Sequence, residues 1–306
     1  MPNHLIRAAF ALALSAAPLS AQGLEAEQIA PGIWVLEGPA EQRSADNLGN
    51  NATFGLIDTA DGAILIDPGG TWAGAEALDA VIGRLTDHPI TTVINTGGQD
   101  HRWMGNGYWQ AQGAEVIASE VAVADQQARA SLQLSMLREL VGEAGLARTN
   151  PAPADVTFSG HYAFTQGGVS VELFHQAPAH TPGDSFVWLP EAGIVFAGDI
   201  VFVGRLLGIL EVSDSAGWIE SFDAMAALEP RIVVPGHGPA TSLATARADT
   251  RDYLVAMRAA MRAHIDAGGD ILGAVAVDQS AFEHLDQFEA LAGRNAQTLF
   301  QQMEWE

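Results

Sequence analysis

Short apolar runs that lead into turns carrying a histidine or an aspartate constrain this chain more than any other feature. "ITTVINT" runs into "GGQDHR" with His101, "VSVELFHQA" into "APAHTPGD" with His180, "GIVFAGD" ends on Asp199, and "RIVVPGHG" carries His237. A strand end is a rigid base, and the turn after it aims a side chain at the rim of the fold. Imidazole nitrogen and carboxylate oxygen are donors that suit Zn²⁺ or Fe²⁺. Neighbouring glycines let the backbone turn tightly and leave space beside a ligand. One such residue alone is more often a turn former or an ordinary surface group. Four of them in this order, with these neighbours, ask for a common cause.

The runs alternate with segments of helical spacing. "GIWVLEG" and "NATFGLIDTADGAILIDPGG" read as short strands broken by turn signals such as Asp61-Gly62. "TWAGAEALDAVIGRLTD" has apolar residues at helical spacing. "GNGYWQAQG" predicts a helix, "AEVIAS" a strand, and residues 120 to 146 a long helix rich in Ala, Gln and Leu. Residues 241 to 267 and 286 to 303 are also predicted helical. Strands alternating with helices throughout predict an α/β sandwich, two sheets covered by helices, over an all-β fold. No internal repeat, low-complexity tract or linker interrupts the pattern, so residues 22–306 form one expected domain.

With 306 residues, 48% hydrophobic and 17% charged, the chain has apolar material for a large core. Its net charge is -23, and all 14 basic residues are arginine. That balance removes the electrostatic footprint of a nucleic-acid binder and disfavours an anionic membrane surface. Residues 1–21 predict an export signal, with Arg7 before the apolar stretch Ala8 to Ala17 and a cut after Ala21, hence a periplasmic or secreted protein. That stretch is too short to span a bilayer and no later run is long enough, so no membrane span is expected after its removal. Cysteine is absent, so any metal must be held by His, Asp, Glu or water.

In its motifs the chain resembles the metallo-β-lactamase superfamily, from about Ile33 to the C-terminus. "GAILIDPGG" is similar to that family's strand ending in Ile-Asp-Thr-Gly. "AHTPGDSFVWLPEAGIVFAGDIVF" is similar to its third-histidine motif and the segment leading to its metal-bridging aspartate, and "LEPRIVVPGHGP" to its last-histidine motif. "LDQFEALAGRNAQTLFQQME" resembles the C-terminal helix of the exported zinc metallohydrolases associated with periplasmic quinoprotein systems. The resemblance implies an αββα sandwich of two mixed sheets with one or two metals between them. It also implies a metal-bound hydroxide that attacks an ester, lactone, lactam or thioester-type bond in a small-molecule substrate.

The opening motif departs from the family. Asn-Thr-His-x-His-x-Asp-His-x-x-Gly-Asn meets "NTGGQDHRWMGN" here. Without a gap, Gly97 and Gln99 replace the first two histidines, His101 the aspartate and Arg102 the next histidine. Shifted by one, Asp100 and His101 match the Asp-His pair, but compensating indels are then needed to keep Gly105-Asn106 aligned. The ungapped register is the expectation. Gly97 has no ligand atom and a Gln amide is a poor zinc ligand, so the full first-metal set is lost.

The resemblance then implies a remodelled, mononuclear site. His101, Asp199 and His237 are its expected ligands for Zn²⁺, with Fe²⁺ the alternative, and His180 is either a fourth ligand or an acid/base group. Three protein ligands and a water make a catalytic zinc geometry. The catalytic candidates are His180, Asp199 and Arg102, whose two-pronged guanidinium suits a substrate carboxylate or sulfonate. An ion pair is the equal alternative for Arg102. Asp67 and Asp100 are candidates to fix an imidazole tautomer. The other reading is a catalytically inactive protein that binds a metal or a ligand.

Trp72, Trp103, Tyr108 and Trp109 lie near the expected mouth, either as an aromatic wall or as core packing. "DIVFVGRLLGILEV", with Arg205, is expected to shape a pocket or a dimer contact. His161 and His175 have no motif support and read as structural or exposed.

Overall fold

Strands form where the apolar runs lie, and the computed structural model describes them over residues 19–21 and 23–306. Residues 1–18 of the expected export signal lie outside the described residues. In chain order the first sheet contains β1 (Leu19–Ala21), β2 (Leu24–Ala30), β3 (Ile33–Glu37), β4 (Thr53–Thr59), β5 (Gly62–Ile66), β6 (Ile90–Ile94), β7 (Glu115–Ser119) and β8 (Val156–Phe158). The second contains β9 (His161–Gln166), β10 (Val169–Phe174), β11 (Phe186–Leu189), β12 (Ile194–Phe196) and β13 (Ile232–Val234). The first sheet keeps sequence order, antiparallel from β1 to β5 and parallel from β5 to β8. The second runs β13-β12-β11-β10-β9, antiparallel except for the parallel pair β12 and β13. Both sheets are therefore mixed.

The helices are α1 (Trp72–Ile82), α2 (Asn106–Ala111), α3 (Glu120–Leu146), α4 (Ser215–Ala226), α5 (Leu243–Ala246), α6 (Asp252–Asp266), α7 (Ile271–Ala274) and α8 (Phe288–Met303). A π-helical turn, Arg247–Arg251, joins α5 to α6.

Alternation along the strands sorts side chains between layers. On β5, Ile64 and Ile66 enter the core between the sheets, while Ala63 and Leu65 face α1. Between the sheets, Ile57 and Ile94 meet Val171, Val187 and Phe196. The sheets approach so closely that a Cβ on Gly55 would run into the Phe196 ring. Leu78 and Val81 of α1 cover the outer face of the first sheet. Trp218 and Phe222 of α4, with Met257 of α6 and Leu299 of α8, cover the second. Full burial of each such side chain contributes roughly 1.5–3 kcal/mol, so three stacked apolar layers drive the sandwich. The order is helix, sheet, sheet, helix, as expected.

Three features were not among the expected elements. The β8–β9 region adds the edges of both sheets. The helix α4 starts after Asp214, whose carboxylate accepts from the amides of Ala216 and Gly217. Its Trp218, Phe222 and Met225 follow helical spacing, so the signal was present. The long helix α3 breaks at Gly142, where φ is 75° and ψ is 169°. No helix among the described residues is long and apolar enough to cross a membrane.

Candidate metal centre

The turns after β5, β6, β12 and β13 meet at one place. Asp67 follows β5 with φ 64°, a left-handed conformation that non-glycine residues seldom adopt. Its carboxylate accepts from the Thr96 amide at 2.8 Å and from Nη1 of Arg102 at 2.7 Å. After β6 a 3₁₀ turn, Asp100–Arg102, buries three consecutive polar side chains. A second 3₁₀ turn after β12, Gly198–Ile200, presents Asp199. His237 follows β13 across Pro235 and Gly236.

His101, Asp199 and His237 come together with their ligand atoms all within 4.8 Å of one another. They are 2%, 1% and 5% exposed. His101 Nε2 lies 3.3 Å from Asp199 Oδ2, and His237 Nε2 lies 3.3 Å from Asp199 Oδ1. His101 Nε2 and Asp199 Oδ2 are buried and close, yet make no well-aligned hydrogen bond to each other or to any other group. A buried polar atom left unpaired costs about 1–3 kcal/mol. Two such atoms, with a second imidazole beside them, fit a single ion. Phe202 stacks on the His237 ring at 4.7 Å and steadies it.

At the place of the two missing histidines Gly97 has no ligand atom, and a Cβ built there would run into Asp184 Oδ1. Asp184 is itself pushed up to about 8 by burial and by the charge of Asp199.

Arg102 is fully buried, and its contacts are those of the ion-pair alternative. Nη1 donates to Asp67 Oδ2 at 2.7 Å and the Thr53 carbonyl at 3.2 Å. Nη2 donates to Asp199 Oδ1 at 2.6 Å and the Gly236 carbonyl at 2.8 Å. Both ends of the guanidinium's fork are taken by the protein, and only the buried Nε is left without a partner. A Cβ on Gly236 would stand 2.6 Å from Nη2, so the glycine makes room for the arginine. Burial alone would push Asp199 up, but Arg102 and then His101 outweigh it and hold its carboxyl well below the usual range. Asp67 is raised, because burial outweighs Arg102 there.

Arg43 donates from Nη2 to His101 Nδ1 at 2.8 Å. A guanidinium only donates, so Nδ1 accepts and the neutral ring carries its proton on Nε2. An ion must displace that proton. Asp100 Oδ1, 3.2 Å from Nδ1, is the acceptor to which the ring can then donate. Asp100 is thus the aspartate placed to set an imidazole tautomer. Asp67 serves Arg102 instead, a correction to its expected role.

His180 lies in the loop between β10 and β11, outside the cluster of three. Its Nδ1 is 3.0 Å from the Gly208 carbonyl, and its ring lies 5.5 Å from Phe202 and 5.4 Å from Trp218. Burial lowers its pKa to about 4. Trp103, Tyr108 and Trp109 are buried core packing and form no open wall. Trp72 is edge-on to Tyr108, under the Arg148 guanidinium. The run after Asp199 joins the core through Val201, Phe202 and Leu206, and Arg205 turns back to within 3.4 Å of His237 Nδ1. The sequence analysis missed Arg43, whose loop carries no pattern that would tie it to a turn 58 residues away.

An αββα sandwich with a buried His-Asp-His centre at its strand ends defines a class of metal-binding hydrolase folds. The family model of the metallo-β-lactamase superfamily matches residues 49–237, and the chain belongs to that superfamily. It is similar to the metallo-β-lactamase type 2 of Bacteroides fragilis, 26% identical over 153 residues, covering 49% of this chain and 53% of that protein. The match thus spans about half the length of that relative. Among solved structures, a metallo-β-lactamase from Pontibacter korlensis aligns with TM-score 0.58 and 23% identity over 72% of this chain and 94% of its own. The inverting sec-alkylsulfatase Pisa1 from Pseudomonas sp. aligns with TM-score 0.72 and 17% identity over 92% of this chain and 50% of its own. A Pseudomonas aeruginosa metallo-β-lactamase in its mono-zinc form aligns with TM-score 0.57 and 20% identity over 76% of this chain and 96% of its own.

Proposed function

We propose that the protein is a hydrolase working with one divalent ion, zinc or ferrous iron, held by His101, Asp199 and His237. Its substrate would be a small molecule with an ester, lactone, lactam or thioester-type bond. The observation that carries this reading is the pair of unpartnered buried atoms, His101 Nε2 and Asp199 Oδ2, 3.3 Å apart beside His237. Membership of the superfamily supports the hydrolase class. The ion would supply Lewis acidity and bring the pKa of a water down to about 7.

The chain's own residues do the rest. Arg102 grips Asp199 through Oδ1 and leaves Oδ2 free for the ion. It also places a fixed positive charge inside the centre. Burial keeps His180 neutral, and with Nδ1 donating to Gly208 its Nε2 lone pair is available to accept a proton.

A second reading, an inactive member, is favoured by Arg43, which holds His101 as the tautomer that opposes an ion. Elemental analysis of untagged protein separates the two. The hydrolase reading expects about one ion per chain, lost in Asp199→Asn and His101→Ala. It also expects hydrolysis of an ester or lactone that chelation abolishes and Zn²⁺ restores. An empty wild-type centre that fills in Arg43→Ala would establish the inactive reading, and activity indifferent to chelation and to Asp199→Asn would sink the metallohydrolase.

A further inference from the structure

We propose that the groove between α3 and α8 is a binding site for a medium-chain carboxylate, an apolar chain with one anionic head. This goes beyond the hydrolytic reading and does not depend on it. The groove encloses about 500 Å³, within the range of small-molecule sites. Its lining is of two chemical kinds. Leu132 and Met136 of α3, Leu272 of α7 and Val212 of the loop before α4 are apolar. These are four of the eight large hydrophobic side chains that stand exposed among the described residues. A cluster of that kind in one concavity marks a ligand site more often than isolated surface leucines do.

The polar part includes a face of α8, where Arg294, Gln297 and Gln301 recur at helical spacing. Among the described residues Arg294 makes no ion pair and donates no side-chain hydrogen bond, in a chain of net charge -23. The groove's other guanidinium, Arg129, is already spent on Asp125 and the Gly98 carbonyl. Of the lining carboxylates, Asp100 is neutralised by Arg43, which leaves Glu211 as the one opposing charge. An unpaired planar fork beside exposed apolar side chains selects a carboxylate on a hydrocarbon chain.

Calorimetric titration of the chelator-treated full chain with hexanoate, octanoate, decanoate and neutral 1-octanol tests this. Affinity should rise about fourfold per added methylene, the ratio given by ~0.8 kcal/mol for each buried CH₂. Octanoate should bind more tightly than 1-octanol. Arg294→Gln should weaken octanoate about tenfold, a charge-assisted hydrogen bond's worth, and leave 1-octanol unchanged. Leu132→Asp should abolish both. Both side chains are exposed, so the variants should keep the wild-type unfolding midpoint, which is measured alongside. Absence of binding, equal affinity for octanoate and 1-octanol, or octanoate binding untouched by Leu132→Asp would each overturn the site. None of these readouts involves hydrolysis or a metal, so failure here leaves the hydrolase reading to its own test.

Discussion

Arg102 is the residue on which the centre depends whether or not an ion binds. One guanidinium joins two buried carboxylates that would otherwise repel each other, and its planar fork reaches both at 2.7 and 2.6 Å. Breaking a buried pair from one side leaves an uncompensated charge. Arg102→Gln should therefore cost about 3–5 kcal/mol in denaturant unfolding. Arg102→Lys should fail to restore that loss, because a single ammonium cannot match the two-pronged geometry. A Gln variant within 1 kcal/mol of wild type, a loss no larger than that of a typical neutral hydrogen bond, would show that the carboxylates are relieved by other means. In the sequence, Arg102 stood where the family keeps a histidine, and either substrate binding or an ion pair was open to it. Burial decided between them, and burial is set by which loops close over a turn, not by the turn's own residues.

At the scale of elements, α3 shows how backbone chemistry shapes what the centre rests on. Its Gln133 accepts from the Trp103 indole and donates to the Gly98 carbonyl, and Arg129 also holds Gly98. The loop that carries His101 is thus clamped from this helix. The helix then breaks at Gly142, in a region of φ and ψ open to little but glycine. Nothing lies within 4 Å of a Cβ built there, so a substitution meets only backbone strain. Gly142→Ala should destabilise by roughly 1–3 kcal/mol. Gly293→Ala, inside regular α8 with the same open space, should stabilise by about 0.5–1 kcal/mol. Chemical denaturation of the pair reads both signs, and a stabilised Gly142→Ala would mean that the break is not enforced by the backbone.

At the scale of the whole molecule, the three apolar layers that hold sheets and helices together include none of the proposed metal ligands. Chelation should therefore leave a folded protein with a single cooperative unfolding transition. Added Zn²⁺ should then raise stability only by mass action, about 2.7 kcal/mol at a hundredfold excess over its Kd. Thermal unfolding with and without chelator measures this. Loss of cooperativity on chelation would make the ion part of the fold.

The sequence by itself determined the layers. Apolar runs such as "GAILI" mark strands, whose backbone alternation must send Ile64 and Ile66 to one face and Ala63 and Leu65 to the other, and helical spacing marks α1 and α8. These are local patterns, and a local pattern survives being read one segment at a time. The sequence also marked His101, Asp199 and His237 as residues to watch, because each follows an apolar strand. Tertiary structure alone decided what surrounds them. Arg43 reaches His101 from a loop with no motif, the carbonyls of Thr53 and Gly236 receive Arg102, and Trp103 turns into the core instead of the mouth. Such partners are chosen by where distant loops are packed, and backbone carbonyls look alike in every sequence, so the charge state of the centre became legible only once the sheets had closed.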